Sequence, residues 1–321
     1  MKRFSNILLI ADEGTENSAA LSRAVALARN NQARLTVCAV IDAIAGDVQM
    51  AITAITPADL KDIAATEKRV WLDQLIESVA AEGVLIEAKI FVGKPFIEII
   101  RQVLKEDHDL VIKCAEADAG LTGLLFGSTD MHLLRKCPCP VWIAGPEEQD
   151  KYRRILAAVD QSPGDQAADV LNRQILEMSS SLALTESSGL HIVHAWCLAG
   201  EDIFRSGRTI FSDDEVDAML KMEAHARRLW LEKLVKAYGA NAGKDAVDYV
   251  DPQLHVIKGD AKRVIPTIAK DLDVDLIVMG TVARTGIPGF FMGNTAESIL
   301  NQIECSVLTV KPPGFVCPVG L

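Results

Sequence analysis

Apolar residues fall along this chain in short runs, and each run is followed by a polar turn or a stretch with helical spacing. Ile7-Leu8-Leu9-Ile10-Ala11-Asp12 and Ile155-Leu156-Ala157-Ala158-Val159-Asp160 are two such runs, and both end in aspartate. The turns after them are Glu13-Gly14-Thr15 and Gln161-Ser162-Pro163-Gly164. Beyond the first turn, Ala20, Ala24, Leu27 and Ala28 mark one face of a predicted helix. Second apolar runs come at 34–40 and 190–196, and third runs at 85–92 and 254–258, the latter closed by Gly93 and Gly259. Long mixed segments around 59–82 and 213–238 read as helices. In the second of these, Glu223/Arg227 and Arg228/Glu232 sit four apart, as on an exposed helix face.

The fourth runs, Asp109-Leu110-Val111-Ile112 and Asp275-Leu276-Ile277-Val278, lie 166 residues apart, and the register then holds. Gly120 falls on Gly286, Gly123 on Gly289, Gly127 on Gly293, Thr129 on Thr295 and Cys139 on Cys305. Asp12 and Asp160 are only 148 apart, so the second copy carries insertions between its first and fourth strands. The chain is therefore a tandem repeat. Strands alternating with helices imply right-handed crossovers and parallel sheets covered on both faces. The expected fold class is α/β, with two doubly wound parallel five-stranded sheets. The expected domains are 1–146 and 153–312, joined by the polar stretch Gly145–Arg153 and followed by a tail at 313–321.

Composition narrows the partners. A chain of 321 residues that is 49% hydrophobic can bury two cores. The formal net charge of −11 argues against nucleic acid or an anionic membrane as partner, since both need a basic face. An anionic ligand would have to be held by local amides and a few placed cations. Seven cysteines are neither dense nor even in number, and no signal-like stretch or run of roughly 20 apolar residues is present. The expectation is a cytoplasmic protein with reduced thiols and no transmembrane segment.

In an open α/β sheet, ligands bind beyond the carboxyl ends of the strands where chain order reverses. In the second copy that selects Asp160 and the segment Gly280–Thr295. Glycines let backbone approach a ligand, and Gly293-Asn294-Thr295 at a helix start offers free amides to phosphate. Arg284 adds a positive charge, and Asp160 can accept a hydrogen bond from a ribose or adenine group. This segment resembles the Gly-x2-Gly-x9-Gly-Ser/Thr nucleotide loop of the universal stress protein family. The turn Val159-Asp160-Gln161-Ser162 and the two-domain arrangement resemble that family's tandem E type.

The resemblance implies a Rossmann-like, adenine nucleotide α-hydrolase-like fold that binds ATP (with Mg²⁺) or AMP and is non-catalytic or weakly hydrolytic. It assigns ligand contacts to Asp160, Gly280, Ala283, Arg284, Gly293, Asn294 and Thr295, and no catalytic or metal-ligating residue. It also implies pairing through the last strands, Val141-Trp142-Ile143 and Val307-Leu308-Thr309-Val310, as a pseudo-dimer within one chain or as a homodimer. Ala283 stands where the family has its second glycine, and Asn294 where it has Ser/Thr. In the first copy Cys114 and Ala117 replace the first two glycines, and Glu116 and Asp118 put acid where phosphate would lie. That copy is expected to be degenerate.

Plainer readings stand beside these. Asp12 and Asp160 also suit turns and helix caps. Gly120/Gly286 and Gly123/Gly289 occur in both copies, which favours loop geometry. Lys94 belongs to no Gly-x4-Gly-Lys-Ser/Thr loop and reads as a helix entry. Cys137-Pro138-Cys139 invites a metal or redox role. No second Cys/His pair accompanies it, and structural cysteines fit better. His191 and His194, three apart in a strand, point to opposite faces and cannot readily share a metal. Apolar segments at 43–55, 198–211 and 290–292 suit interface packing, or a pocket for a ligand with an apolar part and an anionic head. Three functions follow: a non-enzymatic, nucleotide-responsive stress protein; a sensor or carrier of a phosphate-headed or apolar small molecule; and a slow ATP hydrolase.

Overall fold

A computed structural model describes residues 4–13, 15, 17–42, 57–79, 83–115, 126–145, 151–206, 211–242, 249–281 and 292–321. In the first copy the elements are β1 (Asn6–Ile10), α1 (Ser18–Asn31), β2 (Arg34–Ile41), α2 (Pro57–Glu77), β3 (Ile86–Val92), α3 (Pro95–Glu106), β4 (Leu110–Cys114), α4 (Ser128–Lys136) and β5 (Val141–Ala144). The second copy supplies β6 (Arg154–Ala158), α5 (Gln166–Glu186), β7 (Gly189–Trp196), α6 (Glu201–Arg205), α7 (Asp213–Ala242), β8 (Gln253–Lys258), α8 (Ala261–Asp271), β9 (Leu276–Gly280), α9 (Asn294–Leu300) and β10 (Ser306–Val310). The α/β alternation predicted from the apolar runs is observed. The last helix starts at Asn294, with Gly293 as its N-cap.

The described residues fall into two compact units. The first takes in 1–150, 281–292 and 304–321, and the second 151–280 and 293–303. Within the first unit the strand order is β3-β2-β1-β4-β5-β10. All neighbours are parallel except β10, which lies antiparallel on β5 with Val307 opposite Ile143, Leu308 opposite Trp142 and Thr309 opposite Val141. Within the second unit the order is β9-β6-β7-β8, all parallel. Each copy thus contributes five strands, and the fifth strand of the second copy groups with the first unit. Both β5 and β10 are buried along their whole length, and pairing them satisfies backbone groups that an open edge would leave exposed.

The repeat has local causes that recur in both copies. Asp109 accepts hydrogen bonds from the amides of Ser5 and Asn6 and so pins the start of β1. Asp275, its counterpart, accepts from the amides of Arg153 and Arg154 at the start of β6. Gly93 and Gly259 end the third strands at φ 152° and 146°, where a Cβ would meet Glu98 Cγ at 2.9 Å or Val264 Cγ2 at 2.8 Å. In both copies the first strand lies between the second and the fourth, so chain order reverses beside it. The crevice beyond its carboxyl end is where a ligand would sit.

Candidate functional site

In the second unit that crevice opens at the end of β6. Ala157 is in register with Val278 of β9, so Asp160 and Gly280, three and two residues further on, leave neighbouring strand ends. The main chain of Asp160 is fixed at both polar atoms by Asn172 of α5. Its N–H donates to Asn172 Oδ1 at 3.1 Å, and its carbonyl accepts from Asn172 Nδ2 at 2.8 Å. The Asp160 carboxylate stays half exposed. Behind it lies His194 of β7, 1% exposed, with Nδ1 3.9 Å from Asp160 Oδ1 and 3.3 Å from the Val159 carbonyl. Burial drives the His194 pKa down from 6.5 to about 4, against the opposing pull of that carbonyl, and the charge of Arg227 lowers it further. The ring is therefore neutral near pH 7. With Nδ1–H donating to Val159, Nε2 carries the lone pair, buried and with no hydrogen-bond partner.

Helix α7 closes this side. Trp230 packs on His194 with ring centroids 4.9 Å apart. Arg227 donates from Nη1 to Gln161 Oε1 at 2.9 Å, and its Nε and Nη2 bond Glu223 Oε1 at 2.7 and 2.6 Å. Of the two i,i+4 pairs read as one exposed face, Arg228–Glu232 is exposed. The Glu223–Arg227 pair is turned inward to hold the turn after Asp160. Helical spacing gave the pair but not Gln161, its third member, which only the tertiary fold supplies.

Gly280 is explained by packing. A Cβ there would come within 2.7 Å of Leu171 Cδ2 on α5. Gly293 caps α9, and Asn294 and Thr295 open that helix with exposed side chains. Ala283 and Arg284 lie outside the described residues, as do Gly120, Gly123, Gly286, Gly289, Glu116 to Asp118, and the apolar residues 43–55 and 290–291. Phe204 and Phe211, within another of the apolar segments, pack edge to face at 5.5 Å, so each is accounted for without a ligand.

The first unit builds the same corner differently. Asp12 is pinned by Asn17, whose Oδ1 accepts from the Asp12 amide at 3.1 Å and whose Nδ2 donates to the Asp12 carbonyl at 2.7 Å. At the start of α4, Asp130 accepts the Gly127 amide through Oδ2 at 3.1 Å. Its Oδ1 lies 3.0 Å from Lys113 Nζ, and both side chains are buried. In the second unit, His191 of β7 meets His255 of β8, Nδ1 to Nε2 at 3.1 Å. Among the described residues no group of three or more His, Cys, Asp or Glu side chains is arranged to hold a metal ion. No helix among them is long and apolar enough to cross a membrane.

The model of the universal stress protein family matches residues 3–145 and again 151–311. This chain belongs to the universal stress protein family. It is 28% identical to universal stress protein E of Escherichia coli K12, over all of this chain and 98% of that one. It is 26% identical to universal stress protein E of Photorhabdus laumondii, over 99% of this chain and 98% of that one. The crystal structure of a functionally unknown protein from Pseudomonas aeruginosa PAO1 superposes with a TM-score of 0.67 at 25% identity, covering 97% of this chain and 94% of that one. The tandem universal stress protein architecture inferred from the repeat is thereby shown.

Proposed function

We propose that the second repeat binds an adenine nucleotide, ATP with Mg²⁺ or AMP, as a regulatory ligand in the stress response. The carrying observation is the corner at Asp160. A half-exposed carboxylate stands at the strand end where chain order reverses, its backbone clamped by Asn172, its turn held by the Arg227–Glu223 pair through Gln161. Such a carboxylate accepts hydrogen bonds from ribose hydroxyls or an adenine amino group, and a fixed backbone removes the ordering cost of binding. Gly293, Asn294 and Thr295, with Ala283 and Arg284, are the proposed phosphate contacts. Gly280 serves the packing of β9 on α5 and contributes its backbone alone. One universal stress protein has been crystallised in complex with cAMP, so a nucleotide is a ligand known within the family.

Titration calorimetry with ATP and Mg²⁺, and with AMP, tests the reading. Saturable heat from the wild type that Gly293→Val abolishes is the expected result. Absence of heat up to millimolar nucleotide, with the variant indistinguishable from wild type, overturns it.

A further inference from the structure

Away from the nucleotide corner, the first unit gathers three cysteines around a buried lysine. Cys137 ends α4 and Cys139 leads into β5, with Pro138 fixing the turn between them. Both side chains are buried and their sulfurs are 3.5 Å apart. The third thiol, Cys317, comes from the tail beyond residue 311, where the family match ends. Its Sγ is half-buried and lies 3.3 Å from the carbonyl of Lys136, the peptide that precedes Cys137.

Lys311 supplies the charge. It is 6% exposed, donates to the Leu134 carbonyl and to Thr281 Oγ1, and lies 5.1 Å from the Phe315 ring. Among the described residues no carboxylate pairs with it. A buried ammonium without an anion is costly by several kcal/mol, so a neighbouring group that can become negative is favoured there. Burial lowers Lys311 to about 8, while the three cysteines pull it back up. Burial resists ionisation of Cys137, yet the hydrogen bond from Cys139 and the charge of Lys311 outweigh it and bring that thiol below its ordinary value. The same bond, then burial, then the charges of Cys137 and Asp109, hold Cys139 protonated. One sulfur is thus a nucleophile and the other its donor.

We propose that Cys317, Cys137 and Cys139 form a thiol relay, by which a hydroperoxide converts the buried Cys137–Cys139 pair to a disulfide. The half-buried Cys317, whose thiol burial holds above its ordinary value, meets the oxidant. Its sulfur attacks the peroxide, an S–O bond forms, the O–O bond breaks, and the thiol proton passes to the departing oxygen, which leaves as water or an alcohol. The Cys137 thiolate attacks the resulting sulfenic sulfur, and hydroxide departs as water once protonated. Cys139, giving up its proton, then attacks Cys137 and releases Cys317 as a thiol. In sum two thiols lose two electrons and two protons, and one hydroperoxide is reduced. The two sulfurs must close from 3.5 Å to about 2.05 Å. Intracellular disulfides, where they occur, are mostly of this transient, sensing kind. The second repeat has Cys305 alone at the position of Cys139, so the relay belongs to one repeat.

The test uses the full-length protein, reduced and freed of reductant, treated with one equivalent of hydrogen peroxide, alkylated, and digested with trypsin without reduction. The peptide running from Cys137 to Lys151 contains both sulfurs. It is expected unalkylated and lighter by two hydrogens, at a dose that leaves the exposed Cys197 largely alkylated. Cys139→Ser is expected to arrest the relay as a link between Cys137 and the C-terminal peptide. Cys317→Ser and Lys311→Met are expected to slow disulfide formation about tenfold. Recovery of Cys137 and Cys139 both alkylated in wild type, at a dose that oxidises Cys197, overturns the proposal. So does a Cys317→Ser protein that forms the disulfide at the wild-type rate. Both readouts are on chains with an intact Lys311, so misfolding of Lys311→Met cannot decide the outcome.

Discussion

At the start of its last helix the first repeat buries an aspartate against the N-cap amide, and the second has Ala296 at that position, with Glu297 one residue on. Asp130 bonds the Gly127 amide and pairs with Lys113 in full burial. Counting 166 residues on, the same positions hold Met279 and Ala296, both buried and apolar. A helix-start amide that already holds a carboxylate is closed to a phosphate, whereas one with no internal partner of that kind keeps the option. The acid at Glu116 and Asp118 points the same way in sequence. Divergence between the repeats therefore reached buried positions as well as the loop sequence.

The largest way to break that comparison is to remove one member of the buried pair. Lys113→Met takes this buried cation from Asp130, and Asp130→Ala takes this buried carboxylate from Lys113. Each is expected to cost about 3–5 kcal/mol in denaturant unfolding. Installing both reproduces the apolar pair of the second repeat. It should return stability to within about 1–2 kcal/mol of wild type, the remainder being the lost cap on the Gly127 amide. Additive losses in the double variant would show that the pair is not coupled.

His194 sharpens the other half of the comparison, since the first repeat has Ala39 at the corresponding place in its second strand, where Cys38 stands opposite Ile10 as Val193 stands opposite Ala158. Above pH 6.5 the ring is neutral in folded and unfolded chains alike and has no effect on the balance. As pH falls from 6.5 to about 4, the unfolded chain takes the proton first, so stability is lost across that window. The loss amounts to about 3 kcal/mol once pH is below 4. Urea unfolding at pH 7, 5.5 and 4 should show it in wild type, and a clearly shallower fall in His194→Gln. Equal slopes in both proteins would mean that other groups carry the acid sensitivity.

Much of the fold was legible in the residues, and the reasons show where legibility stops. Strand ends, the repeat register and the glycines closing the third strands follow from local pattern, because backbone geometry acts within a few residues. Gly280 ends β9, where the sequence placed it, but its neighbour Leu171, which by itself calls for glycine there, is supplied only by the tertiary fold. The inward turn of Glu223–Arg227 escaped because spacing reports which residues share a helix face and not what that face meets. Lys113 and Asp130 escaped for a stronger reason. A lysine inside an apolar strand and an aspartate in a first helical turn are each unremarkable alone, and only the fold brings them together. Cys317 is the same case, a tail residue that no repeat register could align with the Cys137–Cys139 turn.

The two asparagines offer a finer contrast. Asn17 stands five residues after Asp12, at the N-cap of α1, while Asn172 stands twelve after Asp160, inside α5. Both make the same reciprocal pair of bonds to the backbone at the strand end. Their removal should cost about 1–3 kcal/mol of stability each, since each breaks two side-chain hydrogen bonds to half-buried backbone groups. If the nucleotide reading holds, Asn172→Ala should also weaken ATP or AMP binding, because Asp160 is no longer held. Asn17→Ala should leave binding unchanged. A matched loss in both variants would indicate a general loosening of the fold.

The smallest expected effect isolates the carboxylate itself. Asp160→Asn keeps the size and the backbone clamp but weakens the acceptor, replacing a charge-assisted hydrogen bond with a neutral one. Such a change is worth about 1–2 kcal/mol, hence about tenfold in affinity for a ligand that donates to it. Asp12→Asn makes the same change in the first repeat, where Asn17 gives an equivalent clamp. It should shift affinity by less than a factor of about two. Asp160 is half exposed, so neither substitution is expected to disturb the core. A tenfold loss confined to Asp160→Asn would locate nucleotide binding at the second corner. Equal small losses would move the ligand elsewhere, and a loss confined to Asp12→Asn would reverse the assignment of the two repeats.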